Sequence, residues 1–250
     1  MNIVQAAFLG LIQGLTEFLP VSSSAHLVLA QSFIPGFSQP GVLFDVALHG
    51  GTLLAVIWYF RKKLLEMTPQ IMWLLILGTI PAILVGLFFK DFLEGLYDNT
   101  KTLGYELLIS GFICWGIDKW NRGTRTNISW LDSMLIGIFQ AIAIIPGISR
   151  SGATIFGGVV RGLDKKEAAV FSFLLSIPAI GGAIVLEGLS EAKNVQVELI
   201  PQYLVGFLVA LVVGYLSIGI LLRFIAENKF KYFAYYCWVL GAGIIVAGLI

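Results

Sequence analysis

Long apolar stretches, separated by short polar segments, run along almost the whole chain. Six of them are uninterrupted and predict transmembrane helices at about 42–60, 70–89, 103–118, 167–187, 201–223 and 232–250, because about 20 apolar residues in a helix cross a bilayer core. Two further stretches, about 2–34 and 131–160, are interrupted near the middle by Pro, Gly and Ser. We interpret each of these as a re-entrant helical hairpin that enters and leaves the membrane on one side.

The composition supports an all-α integral membrane protein. Of the 250 residues, 58% are hydrophobic and only 12% are charged, against roughly 25% charged residues in a soluble domain. The formal net charge of +1 argues against a nucleic-acid partner. Membrane lipids are therefore the expected surroundings, and a homodimer is among the assemblies that we consider.

Basic residues are distributed unevenly around the predicted spans. Twelve lie on one side: Arg61, Lys62, Lys63, Lys119, Arg122, Arg125, Arg161, Lys165, Lys166, Arg223, Lys229 and Lys231. Three lie on the other: Lys90, Lys101 and Lys193. Because cytoplasmic loops are enriched in Lys and Arg, the first side is predicted to be cytoplasmic. The first hairpin then enters from the outer side and the second from the cytoplasmic side.

The two interrupted stretches resemble each other, which indicates an internal repeat within a single membrane domain. Gly10 and Gln13 recur 127 positions later as Gly137 and Gln140, whereas the motif 20–23 aligns with 146–149 at 126 positions, with one residue missing. Each half, about 1–125 and 126–250, contains one hairpin and three spans, so the second half is inverted. Such inverted repeats place polar sites near the bilayer midplane, where the halves meet.

Polar residues at the first interruption are unexpected inside a membrane. Gln13 and Glu17 are four residues apart and share a helix face. A charge at the bilayer centre costs at least about 2.5–3.5 kcal/mol, so Glu17 needs a partner, a metal or water. Ser23 and His26 follow three residues apart and are expected to hydrogen-bond on one face, with Ser22 and Ser24 beside them. The alternative is that Glu17 is a structural carboxylate at an interfacial helix end.

The second interruption, Pro146-Gly-Ile-Ser-Arg-Ser-Gly-Ala-Thr154, has the features of an anion site. Gly147 lets the backbone approach a ligand, and the Arg150 guanidinium matches phosphate oxygens. Hydroxyl groups follow from Ser149, Ser151 and Thr154. A helix that starts after this turn directs its N–H groups to the same place. The alternative is that Arg150 only pairs with Glu17 to hold the halves together.

Three other polar residues carry weaker predictions. Asp45 and His49 are four residues apart near the outer end of the first span, where a structural or pore-lining pair is as reasonable as a catalytic one. Glu106 is expected to be solvated at the outer interface.

Three motifs resemble the signatures of the undecaprenyl-diphosphate phosphatases, the bacitracin-resistance family. They are Gln13-Gly-Leu-Thr-Glu17, Pro20-Val-Ser-Ser-Ser-Ala-His26 and the segment 146–154. The resemblance extends over essentially the whole chain. It implies hydrolysis of undecaprenyl diphosphate, a polyprenyl diphosphate lipid, to undecaprenyl phosphate and inorganic phosphate, which recycles the carrier for peptidoglycan synthesis and confers bacitracin resistance. It also implies a bacterial plasma membrane and a site open to the outer, periplasmic side.

The same resemblance implies catalytic roles for Glu17, Ser23, His26 and Arg150. Substrate-binding roles are assigned to Gln13, Ser22, Ser24, Gly147, Ser149, Ser151 and Thr154. A divalent cation, Mg²⁺ or Ca²⁺, is expected with Glu17 as its ligand. Some members of the family have glutamate where this chain has Gln13.

The sequence leaves several mechanisms and function classes open. Either Ser23 or His26 attacks the terminal phosphorus, or His26 activates Ser23 or a water. A lipid flippase or secondary transporter has the same anatomy of inverted repeats and broken helices. A purely structural scaffold gives no reason for Glu17 and Arg150 to lie within broken helices.

Overall fold

The computed structural model describes residues 1–35, 37, 42–89, 93, 95, 96, 102–120, 123–191 and 196–248. Their helices are α1 (Ile3–Thr16), α2 (Ser23–Ser32), α3 (Leu43–Tyr59), α4 (Arg61–Leu65), α5 (Pro69–Phe88), α6 (Leu103–Lys119), α7 (Trp130–Ile142), α8 (Arg150–Val160), α9 (Lys165–Glu191), α10 (Ile200–Ala226) and α11 (Phe230–Ala247). Each predicted span coincides with one long helix, and each interrupted stretch with two shorter ones. The predicted all-α class is confirmed.

Several helices are suited to a bilayer. Within the described residues, four segments are long and apolar enough to cross a membrane: Pro69–Phe88, Lys165–Glu191, Val197–Ala226 and Phe230–Ala247. Their outward faces carry large apolar side chains that remain exposed, such as Leu87, Val212 and Val239, which a soluble protein of this size rarely presents together. The chain is therefore a multi-pass membrane protein. Lys90, Lys101, Arg122 and Lys193, on which the predicted orientation partly rests, lie outside the described residues.

Helices α1 and α7 start at the same kind of cap. Asn2 and Gln5 form a capping box at α1, and Ser129 and Asp132 form one at α7, 127 positions later. In each box the cap side chain accepts from the backbone N–H three residues on, and the later side chain accepts from the cap N–H. Local sequence thus sets where each hairpin begins.

Glycines bring helices from distant parts of the chain into close contact. Helix α1 packs on α10, and α7 packs on α5; α3 lies against α9, and α6 against α11. A Cβ built on Gly10 lies 2.6 Å from the carbonyl oxygen of Gly206, and one built on Gly137 lies 2.4 Å from that of Gly78. Small residues permit this backbone approach between membrane helices.

A charged clamp closes the base of the α7–α8 hairpin. Asp132 is fully buried and accepts hydrogen bonds from Arg125 at 2.6 and 2.9 Å and from Arg161 Nε at 2.9 Å. The hydrogen bond with Asp132 raises the pKa of Arg125 above its usual value. Because Arg125 precedes α7 and Arg161 follows α8, the clamp joins the two ends of this hairpin.

Candidate active site

The second helix of each hairpin begins with a serine cap. Ser22 Oγ accepts from Ala25 N at 3.4 Å, and Ser149 Oγ accepts from Gly152 N at 3.2 Å. Ser22 has a φ of 69°, which is rare for a non-glycine residue, so the turn before α2 is sharply bent. We call residues 17–26 the first tip and residues 146–152 the second tip.

The two tips correspond at a constant spacing of 127 positions. Ser22 is 3.2 Å from Ser24 between hydroxyl oxygens, and Ser149 is 3.2 Å from Ser151 in the same way. The predicted alignment of Ser23 with Ser149, with one residue missing, is therefore wrong. The structural equivalent of Ser23 is Arg150, since each is the first residue of its helix.

Both tips meet on the carboxylate of Glu17. Arg150 Nη2 donates to Oε1 at 2.8 Å, while Ser23 Oγ and Gln13 Nε2 donate to Oε2 at 2.7 and 3.0 Å. The Glu17 side chain is only 5% exposed. His49 Nε2 approaches Oε2 to 3.8 Å. The acid, the hydroxyl and the guanidinium predicted from the sequence thus form one cluster. Glu17 needs these partners, because a buried charge is costly unless it is paired and hydrogen-bonded.

The second tip keeps donors that no described residue satisfies. Arg150 Nη1 is buried and has no hydrogen-bond partner within the described part of the chain. Gly147 N–H donates to Ser24 Oγ at 3.2 Å and Ser149 N–H to Ser110 Oγ at 2.9 Å. Within the described residues, the N–H groups of Arg150 and Ser151 at the start of α8 have no protein acceptor, as expected of a first helical turn. These three donors suit an anion.

The His26 ring is hydrogen-bonded to groups other than Ser23, so the predicted hydrogen bond between them is wrong. Its Nδ1 lies 2.7 Å from the carbonyl oxygen of Ser22, and its Nε2 lies 2.6 Å from the Tyr236 hydroxyl. Ser23 donates to Glu17 instead, because an ionised carboxylate is the stronger acceptor. Tyr236 was not singled out from sequence, since it lies 210 positions away from His26 in α11 and belongs to no motif.

Three predicted substrate-binding hydroxyls are used within the protein. Thr154 Oγ1 donates to Arg150 O at 2.8 Å and lies 2.5 Å from Ser172 Oγ. Ser151 Oγ donates to Leu19 O at 3.3 Å, which joins the second tip to the first. Ser149 caps α8 as described. These contacts position the tips, and the roles of these residues in substrate binding stay predictions.

Helix α6 supports the second tip through hydrogen bonds and close packing. Ser110 Oγ accepts from Ser149 N and donates to Gly147 O at 3.0 Å. Gly147 has a φ of +86°, and a Cβ there would lie 2.5 Å from the Cβ of Glu106. Glu106 is 7% exposed and accepts from Thr102 at 3.0 Å. The expectation of a solvated Glu106 is wrong, because the tip covers it.

The weaker pair, Asp45 and His49, divides between two environments. His49 reaches Glu17, and its Nδ1 lies 2.8 Å from the backbone oxygen of Asp45. The carboxylate of Asp45 accepts from Gln31 at 3.5 Å. His49 therefore belongs to the cluster around Glu17, and Asp45 orients it through the backbone.

The residues present fit a divalent cation only if the phosphate groups of a bound substrate supply further ligands. Within the described residues, no group of three or more His, Cys, Asp or Glu side chains is arranged to hold a metal. Both oxygens of Glu17 already accept protein hydrogen bonds. Mg²⁺ is commonly bound through one or two carboxylates and the phosphates of a substrate, and such a shared site is what one carboxylate supports here.

A separate cavity of ≈ 460 Å³ lies between α5, α9 and the segment 126–128. Its walls include Lys63 and Glu167, whose charged atoms are 3.9 Å apart, and Phe171. Neither Glu17 nor Arg150 lines it, so this cavity is not the site described above.

Apolar helices that surround an acid, a hydroxyl and an arginine with spare donors define an integral membrane protein whose polar cluster is suited to a phosphate group. Residues 6–243 match the model of the family described as "Bacitracin resistance protein BacA". The chain belongs to this family.

Relatives with assigned names match nearly the whole chain. The protein named "Undecaprenyl-diphosphatase" from Carboxydothermus hydrogenoformans is 43% identical, with 98% of this chain and 97% of the relative covered. "Undecaprenyl-diphosphatase 3" from Bacillus cereus is also 43% identical, with the same coverage. The protein named "Undecaprenyl-diphosphatase" from Methanobrevibacter smithii is 40% identical, with 96% of each chain covered. The resemblance inferred from the three motifs is thereby confirmed.

Proposed function

We propose that this protein removes the terminal phosphate of undecaprenyl diphosphate and releases undecaprenyl phosphate and inorganic phosphate. The observation that carries the proposal is the Glu17 carboxylate, which binds the Ser23 hydroxyl through one oxygen and Arg150 through the other. This arrangement supplies a base, a nucleophile and an anion clamp in one buried cluster. The names of the relatives supply the substrate.

Arg150 and the start of α8 hold the terminal phosphate. The free Nη1 of Arg150 and the N–H groups of Arg150 and Ser151 are donors without a protein acceptor within the described residues. Donors fixed before the reaction stabilise charge that develops on phosphate oxygens. Because Arg150 Nη2 stays hydrogen-bonded to Glu17, the arginine that binds the phosphate keeps a fixed position relative to the carboxylate that acts as base.

Ser23 is the nucleophile that the geometry favours. Its hydroxyl is 2.7 Å from Glu17 Oε2, so the proton passes to Glu17 as Ser23 Oγ bonds to the terminal phosphorus. The anhydride P–O bond breaks, and its electron pair leaves on the oxygen of undecaprenyl phosphate. Water then attacks the phosphoserine, and Glu17 returns the proton to Ser23 as inorganic phosphate forms.

His26 serves the second step in this proposal. It lies three residues after Ser23 on α2, so the two side chains emerge on neighbouring positions of one face. Its Nδ1 is held at the Ser22 carbonyl. Its Nε2, which lies 2.6 Å from the Tyr236 hydroxyl, accepts the proton of the attacking water when that water takes the place of the hydroxyl. A Mg²⁺ or Ca²⁺ ion that arrives with the diphosphate would be held by Glu17 and phosphate oxygens and would offset their charge.

We also propose the finer topology, with six spans and two re-entrant hairpins in inverted halves of about 1–125 and 126–250. The two capping boxes are 127 positions apart, and so are the two serine caps, which supports this topology. The packing supports it as well, because α1 of the first half packs on α10 of the second and α7 of the second half packs on α5 of the first. The excess of basic residues on one side supports a site open to the outer face of a bacterial plasma membrane. The undecaprenyl phosphate that is formed is again a carrier for peptidoglycan synthesis.

The test is phosphate release from undecaprenyl diphosphate by purified protein in detergent, with and without EDTA. Glu17→Ala and Arg150→Ala are expected to abolish release, whereas the exposed controls Glu66→Ala and Arg61→Ala keep it. Detergent removes the two compartments that a flippase or transporter needs, so release there supports the enzyme. Absence of release by the folded wild-type protein would refute the proposal.

A second experiment identifies the nucleophile. Protein quenched in acid during turnover of substrate labelled on its terminal phosphate is expected to carry label on Ser23, because phosphoserine survives acid and phosphohistidine does not. Label that is lost in acid but kept in base would assign the attack to His26 instead.

A further inference from the structure

Tyr236 joins the last described helix to the first tip. Its hydroxyl is 2.6 Å from His26 Nε2, and the two rings stack with their centroids 5.6 Å apart and their planes 11° apart. Tyr236 is 47% exposed on α11, an apolar helix that is long enough to cross a bilayer. A hydrogen bond at such a position is weakly screened and correspondingly strong.

The other ring nitrogen fixes the direction of this hydrogen bond. Nδ1 of His26 lies 2.7 Å from the backbone oxygen of Ser22, and a carbonyl oxygen only accepts, so Nδ1 carries the ring proton. In a neutral imidazole the second nitrogen is then an acceptor. Tyr236 therefore donates to Nε2, and two contacts from different helices define one tautomer.

We propose that Tyr236 is a positioning residue for His26, which it holds as the neutral ring with its lone pair on Nε2. Tyr236 does this through both the stacked ring and the hydroxyl. The attacking water replaces the hydroxyl at this lone pair, while the ring stack keeps the imidazole in place. The proposal rests on the base role that the proposed function gives to His26.

Without Tyr236, the His26 imidazole would be held only by the hydrogen bond of its Nδ1 with the Ser22 carbonyl. The Ser22 carbonyl fixes Nδ1, but it comes from the same tip and moves with it. Tyr236 belongs to α11, which packs along α6, and α6 holds the second tip through Ser110. His26 is thus tied to the same support that positions Arg150.

Tyr236→Phe tests the proposal because it keeps the ring and removes the hydroxyl. Loss of a partner that orients a metal-bound histidine typically costs about 10- to 100-fold, and by analogy we expect a loss of similar size in kcat. KM is expected to change by less than about threefold, because Arg150 and α8 hold the phosphate. Tyr235→Phe is the matched control: it lies on the same helix, is 52% exposed and packs on Trp238.

A double variant of Tyr236 and His26 distinguishes a positioning role of Tyr236 from a general contribution to stability. In a His26→Gln background, Tyr236→Phe is expected to cause no further loss of the residual activity, since residues that act through one another are non-additive. A full, multiplicative loss in the double variant would overturn the proposal, as would wild-type kcat in Tyr236→Phe.

Nitrogen NMR tests the tautomer without any substrate. The chain has two histidines, so ¹⁵N-histidine labelling gives two ring systems, and His49→Gln assigns them. We expect protonated Nδ1 and acceptor Nε2 for His26, and a shifted Nε2 resonance in Tyr236→Phe. A proton on Nε2 in the wild type would overturn the proposal even if Tyr236→Phe failed to fold. A correct tautomer with no phosphatase activity would refute the proposed function alone.

Discussion

Replacing Arg150 by lysine separates two roles that the structure gives to this residue. Arg150 Nη2 pairs with Glu17 at 2.8 Å, while Nη1 is buried and free of any partner within the described residues. Lysine keeps a positive charge for Glu17 but lacks the planar fork and its second donor. If Arg150 only held the tips together, Arg150→Lys would behave as the wild type.

The expected loss follows from the donor that disappears. A hydrogen bond to a charged group contributes about 1.5–3 kcal/mol, which corresponds to a fall of about 10- to 150-fold in kcat/KM. Stability should change little, because the charge opposite Glu17 remains. Arg150→Ala, in contrast, leaves Glu17 buried without its main counter-charge, and breaking a buried pair costs up to about 3–5 kcal/mol.

The assay measures kcat/KM for undecaprenyl diphosphate and the melting temperature in the same detergent. Arg125→Lys is the matched control, since it removes an equivalent fork from Asp132, which lies in the first turn of α7, at the opposite end of this helix from the second tip. We expect it to lower the melting temperature and to leave kcat/KM within about twofold, as for a distant, independent site. Wild-type kcat/KM in Arg150→Lys, with an unchanged melting temperature, would refute the phosphate clamp.

Three further substitutions test the support of the second tip. Gly147→Ala places a Cβ at a φ of +86° and against Glu106, so both the melting temperature and kcat/KM should fall. Gly86→Ala is its control: a Cβ there meets nothing within 4 Å, and both quantities should stay near the wild-type values. Ser110→Ala leaves two backbone groups of the tip unpaired at a cost of about 1–3 kcal/mol, seen as a lower melting temperature and a higher KM; an unchanged KM would argue against this support. Asp132→Asn should lower the melting temperature without changing kcat of the folded fraction, and a selective fall in kcat would contradict its structural role.

The sequence alone determined the helices and the chemistry of the two tips. Apolar length and the interruptions around Pro20 and Pro146 were enough to predict every long helix, because a bilayer requires continuous apolar segments and both prolines stand close to Gly or Ser residues that favour a turn. Glu17 and Arg150 were recognisable because isolated charges in such segments are costly and need compensation. The family followed from the motifs around them.

Only the tertiary structure decided which side chains meet. Ser23 donates to Glu17 and not to His26, and His26 binds Tyr236, because the fold brings these partners within hydrogen-bond distance. Glu106 is covered by the second tip, although its position in sequence suggested water. Local patterns fix periodicity and caps, whereas contacts between segments far apart in the chain depend on packing that no local pattern encodes.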